Sequence, residues 1–325
     1  MSAKTLYGKT SVTEPIKAMV THGRTAHGFL LTGEKGVGKK TCALYIAKSI
    51  LCENSRDGVP CGVCRQCKRI DEGTHPDVIT PERSGKTLVY KAETIREMYD
   101  DAYTMPNDCD AKIYILPDCE SLQERTQNIL LKLIEEPPDY AYFIFTAQSK
   151  GTFLPTILSR VITLGIPECS DEECAAALRE KGVYTEEQIK SAVEAFHGNI
   201  GRCESCLDGE GLEAAELCRK IVACMASSDE YGLCRVLAGI GENRDNVKDI
   251  LVMLDKVMRD VCEVRLYGEN AVFIGCCKDG AKKLAERMSF KKALHIHEII
   301  GKNINYCNAN INVPLAMSAL CGEII

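Results

Sequence analysis

The chain has 325 residues, 45% hydrophobic and 26% charged, with a formal net charge of −6. This is enough apolar material for packed cores in two or three domains, so global disorder is excluded. The acidic balance argues against a large basic face for nucleic acid. No run reaches the ~20 apolar residues of a membrane span, and residues 1–15 lack the apolar core of a secretory signal, so the expectation is a cytoplasmic chain with no membrane partner.

Residues 28–32 (GFLLT) form a strand candidate ending in a Gly-rich turn, and residues 41–51 continue as a helix. Residues 77–80 read as a short strand and 113–116 as a buried one. Residues 122–136 read as a helix that Pro137-Pro138 stops, because proline brings no N–H to extend it. Residues 142–146 are a further strand. Strands alternating with helices predict a parallel α/β sheet over residues 1–166. Beyond Pro167 the spacing turns helical over 170–181, 185–196 and from 211 onward. That predicts a small helical domain at 167–208 and a larger one at 209–325, hence an α/β plus all-α fold.

Nineteen cysteines is an odd count, so complete internal pairing is impossible. Cys42, Cys218, Cys224, Cys234 and Cys262 fall in helical apolar patterns and read as small buried hydrophobes. Cys203-x2-Cys206 reads as a pair of plain thiols at a helix end. Cys52, Cys61, Cys64 and Cys67 are different. Their C-x8-C-x2-C-x2-C spacing, in a loop rich in Gly, Pro and Asp, suits a tetrahedral structural Zn²⁺ site with no open catalytic position.

Gly33-Glu34-Lys35-Gly36-Val37-Gly38-Lys39-Lys40-Thr41 lies between a strand and a helix, the context of the phosphate-binding loop G-x-x-x-x-G-K-[ST]. Gly33, Gly36 and Gly38 let main-chain N–H groups curl round phosphate oxygens, the helix N-terminus adds its dipole, and Lys39 reaches toward the terminal phosphates. ATP or ADP is therefore the candidate ligand. The magnesium hydroxyl is missing, because Lys40 stands where Ser or Thr belongs. Thr41 points about 100° away at 3.6 residues per turn. An ammonium at that position repels Mg²⁺, so metal-assisted hydrolysis is disfavoured.

Such hydrolysis also needs carboxylates at the end of a buried strand. Here the strand ends Pro117-Asp118-Cys119-Glu120. In one register Pro117 takes the metal position and Asp118 the catalytic one. Shifted by one, Asp118 is the metal ligand and Cys119 fills the catalytic slot.

These pieces, in this order, resemble the bacterial DNA polymerase III clamp-loader ATPase family, which comprises gamma/tau and delta-prime subunits. The resemblance is carried by Thr25-Ala26-His27-Gly28-Phe29-Leu30-Leu31 before the loop, by the cysteine insert after the first helix, and by the run from Gln127 through Leu130-Leu131-Lys132 to Glu135-Glu136-Pro137-Pro138. It continues in Leu154-Pro155-Thr156-Ile157-Leu158-Ser159-Arg160, which is one residue short after Pro155 and has Val161 for the family's Cys. It covers about residues 7–165; beyond that, only Gly198-Asn199-Ile200-Gly201-Arg202 matches in detail.

The resemblance implies a RecA-like AAA+ domain with a zinc module at about 52–67, a helical lid and a helical collar. It implies gamma/tau and delta subunits as partners, and through them the sliding clamp and, indirectly, primed DNA. It also implies that Arg160, after Ser159, is an arginine finger supplied in trans to a neighbour's ATP site. Lys40, Pro117 and Gly201, which stands where active subunits carry the sensor arginine, point to the delta-prime type, with no ATP turnover of its own. A gamma/tau-type ATPase using Lys39, Thr41 and Asp118 is the second reading, and a small P-loop phosphotransferase a distant third. The stripes at Val247, Ile250, Leu251 and Leu254 and from Leu315 to Leu320 are either collar contacts or internal core.

Overall fold

The protein is described by a computed structural model covering residues 6–23, 25–84, 89–208, 212–240, 244–308 and 312–324. The chain divides into two compact units, residues 1–173 and 174–325.

The first unit runs α1 (Thr10–Thr21), β1 (Gly28–Thr32), α2 (Lys39–Leu51), α3 (Arg65–Glu72), β2 (Val78–Ile79), α4 (Ala92–Ala102), β3 (Lys112–Leu116), α5 (Glu124–Glu135), β4 (Ala141–Ala147), α6 (Pro155–Leu158) and β5 (Ile162–Gly165). The described strands form one five-stranded sheet in the order β2-β3-β4-β1-β5, every pair parallel. Parallel strands need crossovers, and the crossing helices cover both faces, which is why β1, β3 and β4 read as unbroken apolar runs.

Strand alternation sorts the side chains into two cores. Leu30, Tyr114, Leu116, Phe143 and Phe145 pack with Ile95 and Met98 of α4 and Leu130 and Leu133 of α5. Phe29, Leu31, Ile113, Ile115 and Ile144 pack on the other face with Ile16 of α1, Cys42 and Ile46 of α2 and Ile70 of α3. The register pairs Thr32 with Ala147, and Leu116 with Phe145. The carboxyl ends of β1, β3 and β4 therefore open onto one edge, where ligands bind in open α/β sheets.

The second unit holds all but the first residues of α7 (Asp171–Glu180), then α8 (Glu186–Phe196), α9 (Ile200–Leu207), α10 (Leu212–Ser227), α11 (Glu230–Ala238), α12 (Arg244–Tyr267), α13 (Lys278–Arg287), α14 (Phe290–Asn308) and α15 (Val313–Ile324). Helix α8 opens with a reciprocal capping box between Thr185 and Gln188. The expected boundary at 208/209 adjoins residues 209–211, which lie outside the described residues. Val247, Ile250, Leu251 and Leu254 are at most 1% exposed, so that stripe is internal to the unit. Leu315 is exposed, whereas Met317 and Leu320 are buried.

The expected fold class is the one observed, with corrections of detail. The strand at 77–80 shrinks to Val78–Ile79. Among the cysteines read as buried, Cys42 and Cys218 are buried, Cys224 and Cys262 are half-buried, and Cys234 is exposed on α11. Cys203 and Cys206 are both buried, and the Cys203 thiol donates to the Ala192 carbonyl. No helix among the described residues is long and apolar enough to cross a membrane.

Candidate nucleotide site and metal centre

The loop between β1 and α2 owes its path to its glycines. A Cβ on Gly33 would sit 2.6 Å from the Ile166 carbonyl oxygen. Gly36 and Gly38 take φ of 90° and 95°, the left-handed region that side chains disfavour. Gly38 caps α2 with no side chain of its own, leaving the first-turn N–H groups of α2 facing the loop.

Lys39 is 7% exposed, and its ammonium donates to the carbonyls of Gly33 (2.7 Å) and Glu34 (2.8 Å). Burial holds its pKa below the usual lysine range, although Glu120, Asp118 and Glu34 pull the other way. Lys40 and Thr41 are both exposed. The loop can therefore hold phosphate oxygens through N–H groups and Lys39, but it offers no hydroxyl at the magnesium position.

The acidic end of β3 is organised differently from either sequence register. Asp118 adopts a left-handed backbone with φ 52°. Its N–H donates to the Thr146 hydroxyl at 3.0 Å, and its Oδ2 pairs with Arg83 Nη1 at 3.1 Å. Cys119 is 1% exposed and turns inward, its thiol donating to the Leu116 carbonyl. Glu120 accepts from the Gln148 N–H at 2.6 Å. The Tyr90 hydroxyl donates to the Pro117 carbonyl at 2.8 Å. Lys40 at the hydroxyl position, Pro117 for a carboxylate, and a guanidinium already on Asp118 do not fit a Mg²⁺ ion. Arg83 is a site residue that sequence reasoning missed; it sits 35 positions from Asp118 in no motif.

Ser159 and Arg160 lie between α6 and β5, at the amino edge of the sheet. The Arg160 carbonyl oxygen stands 3.7 Å from where a Cβ on Gly28, the first residue of β1, would be. The phosphate loop begins beyond the other end of β1, about 16 Å away at ~3.3 Å per residue over five residues. Arg160 Nη2 pairs with Glu135 Oε1 at 2.8 Å, and Nη1 donates to the Thr156 carbonyl and the Ser159 hydroxyl. In the second unit, Arg202 is 13% exposed and pairs with Asp249 at 3.3 Å.

Cys52 ends α2, Cys64 caps α3, and Cys61 and Cys67 complete a cluster whose four Sγ atoms all lie within 4.8 Å of one another. A tetrahedron with Zn–S bonds of ~2.3 Å spaces its sulfurs by about 3.8 Å. The Cys52–Cys64 separation is 3.9 Å. Main-chain N–H groups also point at the sulfurs: Cys61 to Cys52, Val63 and Cys64 to Cys61, and Cys67 to Cys64. The Val63 and Cys64 N–H groups hold the Cys61 thiol at about 7, while burial pushes Cys52 and Cys67 up. The donor set, spacing and N–H outer shell fit one structural zinc, which would join the end of α2 to the start of α3.

Residues 8–170 match the family described as "DNA polymerase III, delta subunit". The chain is 31% identical over 315 residues to the DNA polymerase III subunit gamma of Buchnera aphidicola subsp. Schizaphis graminum, covering 89% of this chain and 85% of that one. It is 30% identical over 200 residues to the gamma subunit of Buchnera aphidicola subsp. Acyrthosiphon pisum, covering 60% of this chain and 55% of that one. It is 26% identical over 227 residues to the DNA polymerase III subunit delta' of Escherichia coli strain K12, covering 69% of this chain and 67% of that one.

Proposed function

The chain belongs to the DNA polymerase III clamp-loader subunit family, and from that premise we propose that it is a delta-prime-type subunit that does not hydrolyse ATP and lends Arg160 to a neighbour's ATP site. In this reading it joins gamma/tau and delta subunits in the cytoplasm, and the assembly opens a sliding clamp and sets it on primed DNA. Residues 167–208 act as the lid and 209–325 as the collar.

The observation that carries the reading is the Arg83–Asp118 ion pair at 3.1 Å. It neutralises the one carboxylate that either register offers as a magnesium ligand, next to a loop whose hydroxyl is replaced by Lys40. Arg160 supports the second half of the reading. It stands about 16 Å along β1 from its own loop, so a finger there can only serve another chain. Lys39 and the N–H groups of residues 33–38 would hold ATP or ADP phosphates without supplying hydrolysis. The four-cysteine cluster would hold zinc as a brace.

A gamma/tau-type ATPase is the second reading, favoured by the gamma name of the relative matched over 315 residues. Steady-state ATP turnover by the isolated chain separates the two. The delta-prime reading expects none above background, together with co-elution of the chain with gamma/tau and delta subunits. Turnover abolished by Lys39→Ala would replace it with the gamma/tau reading.

A further inference from the structure

We propose that Cys234 and Cys321 form a reversible disulfide that fastens α15 to α11. The two helices pack together in the second unit. Cys234 is exposed on α11, and Cys321 is 5% exposed on α15. Their sulfurs lie 2.9 Å apart. That is much closer than the buried thiols of Cys174 and Cys203, at 3.7 Å, or the metal-type pair Cys52 and Cys64, at 3.9 Å. A small side-chain adjustment separates 2.9 Å from the ~2.05 Å of an S–S bond.

The difference in exposure gives each thiol its own part. Cys234 meets a solution oxidant first. Cys321 is shielded, and burial holds its thiol up at about 11, so it stays protonated and unreactive toward outside reagents. It becomes the resolving thiol because the sulfur 2.9 Å from it is the one that reacts.

The oxidant is a low-molecular-weight disulfide. The Cys234 thiolate attacks one sulfur, the reagent's S–S bond breaks, and one small thiol leaves. Cys321 loses its proton to solvent and attacks Cys234 Sγ, and the second small thiol leaves. Two protein S–H groups become one S–S bond, and the reagent's disulfide is reduced to two thiols. An excess of small thiol runs the same two exchanges backward. In a thiol-buffered compartment this is the transient, regulatory kind of disulfide rather than a permanent staple. It closes an 87-residue separation. A link of that span restricts the unfolded chain and raises the unit's thermal midpoint.

The test uses the full chain with zinc bound, so that the four-cysteine cluster is masked. The chain is equilibrated in oxidised glutathione, remaining thiols are alkylated, and a digest is read by mass spectrometry. The expected product is a cross-linked peptide pair carrying residues 234 and 321, two hydrogens lighter than the reduced pair and reversed by dithiothreitol. It disappears in Cys234→Ser and persists in Cys224→Ser, whose thiol is on α10. Oxidation should also raise the thermal midpoint of the wild type and leave that of Cys234→Ser unchanged. Cys234 trapped only as its glutathione adduct, or cross-linked to a cysteine other than Cys321, would overturn the proposal.

Discussion

The Arg160 guanidinium rests 2.8 Å from the Glu135 carboxylate of its own chain, with both side chains 39% exposed. The pair ties the segment after α6 to the last residue of α5. At this exposure such a pair contributes only about 0–1 kcal/mol. A phosphate at the same surface can therefore draw the arginine away at little cost. Glu135→Gln is expected to change unfolding stability by no more than about 1 kcal/mol in a denaturant titration. It should also leave loader turnover far closer to wild type than Arg160→Ala does.

The cysteine cluster predicts one zinc per chain by elemental analysis, lost in Cys64→Ser. Residues 52–67 place few apolar side chains in either core of the first unit. Removing the metal should therefore loosen the link between α2 and α3 before the sheet melts. Hydrogen exchange after chelation should show protection falling first at residues 52–72. No zinc in the intact chain would sink the assignment.

Lys40 and the Arg83–Asp118 pair make a paired prediction about magnesium. Nucleotide affinity of the wild type, read with a fluorescent ATP analogue, should be the same in Mg²⁺ and in EDTA. The double variant Lys40→Thr, Arg83→Ala restores the hydroxyl and frees the carboxylate. Its affinity should rise severalfold with Mg²⁺. A wild-type affinity that already depends on Mg²⁺ would show that the loop uses the metal after all.

Asp77 holds residues 107–109 in place, and Asp108 there pairs with Arg65 and Arg69 of α3. Asp77 is 0% exposed and accepts from the N–H groups of Asn107, Asp108 and Cys109 and from the Asn107 amide, at 2.6–3.1 Å. Burial pushes its carboxyl up, but these donors pull it down further, so its folded pKa lies below the ordinary value. The stabilisation is therefore fully present above the unfolded pKa of ~3.9 and is lost as pH falls below it. Asp77→Ala orphans the three main-chain donors and should cost about 3 kcal/mol at neutral pH. The gap from wild type should narrow in acid, as read by denaturant unfolding at pH 7 and pH 3.5.

The sheet was legible where side chains are buried on both faces. Residues 28–32, 113–116 and 142–146 are continuous apolar runs and became β1, β3 and β4. β5 was not, because Ile162–Gly165 alternates exposed and buried positions over four residues. Nor was α1, whose helix carries Pro15 inside it. In α4 only Ile95, Met98 and Ala102 face the core. The glycine loop and the four cysteines are local patterns, so spacing alone brought them together. Arg83 on Asp118 and Glu135 on Arg160 are tertiary pairs, and no local pattern announces which strand end a distant charge will reach. Cys234 was misread for a related reason: its helical spacing is apolar, but it sits at the rim of the contact between α11 and α15 and stays exposed.

The most direct test is ATP turnover by the loader reconstituted with clamp and primed DNA, comparing the intact chain with Arg160→Ala. Arg160→Ala should lose about a thousandfold or more at the neighbouring site, as for arginine fingers supplied in trans, with normal assembly and no turnover by the chain alone. Unchanged turnover with Arg160→Ala in a fully assembled loader would contradict it.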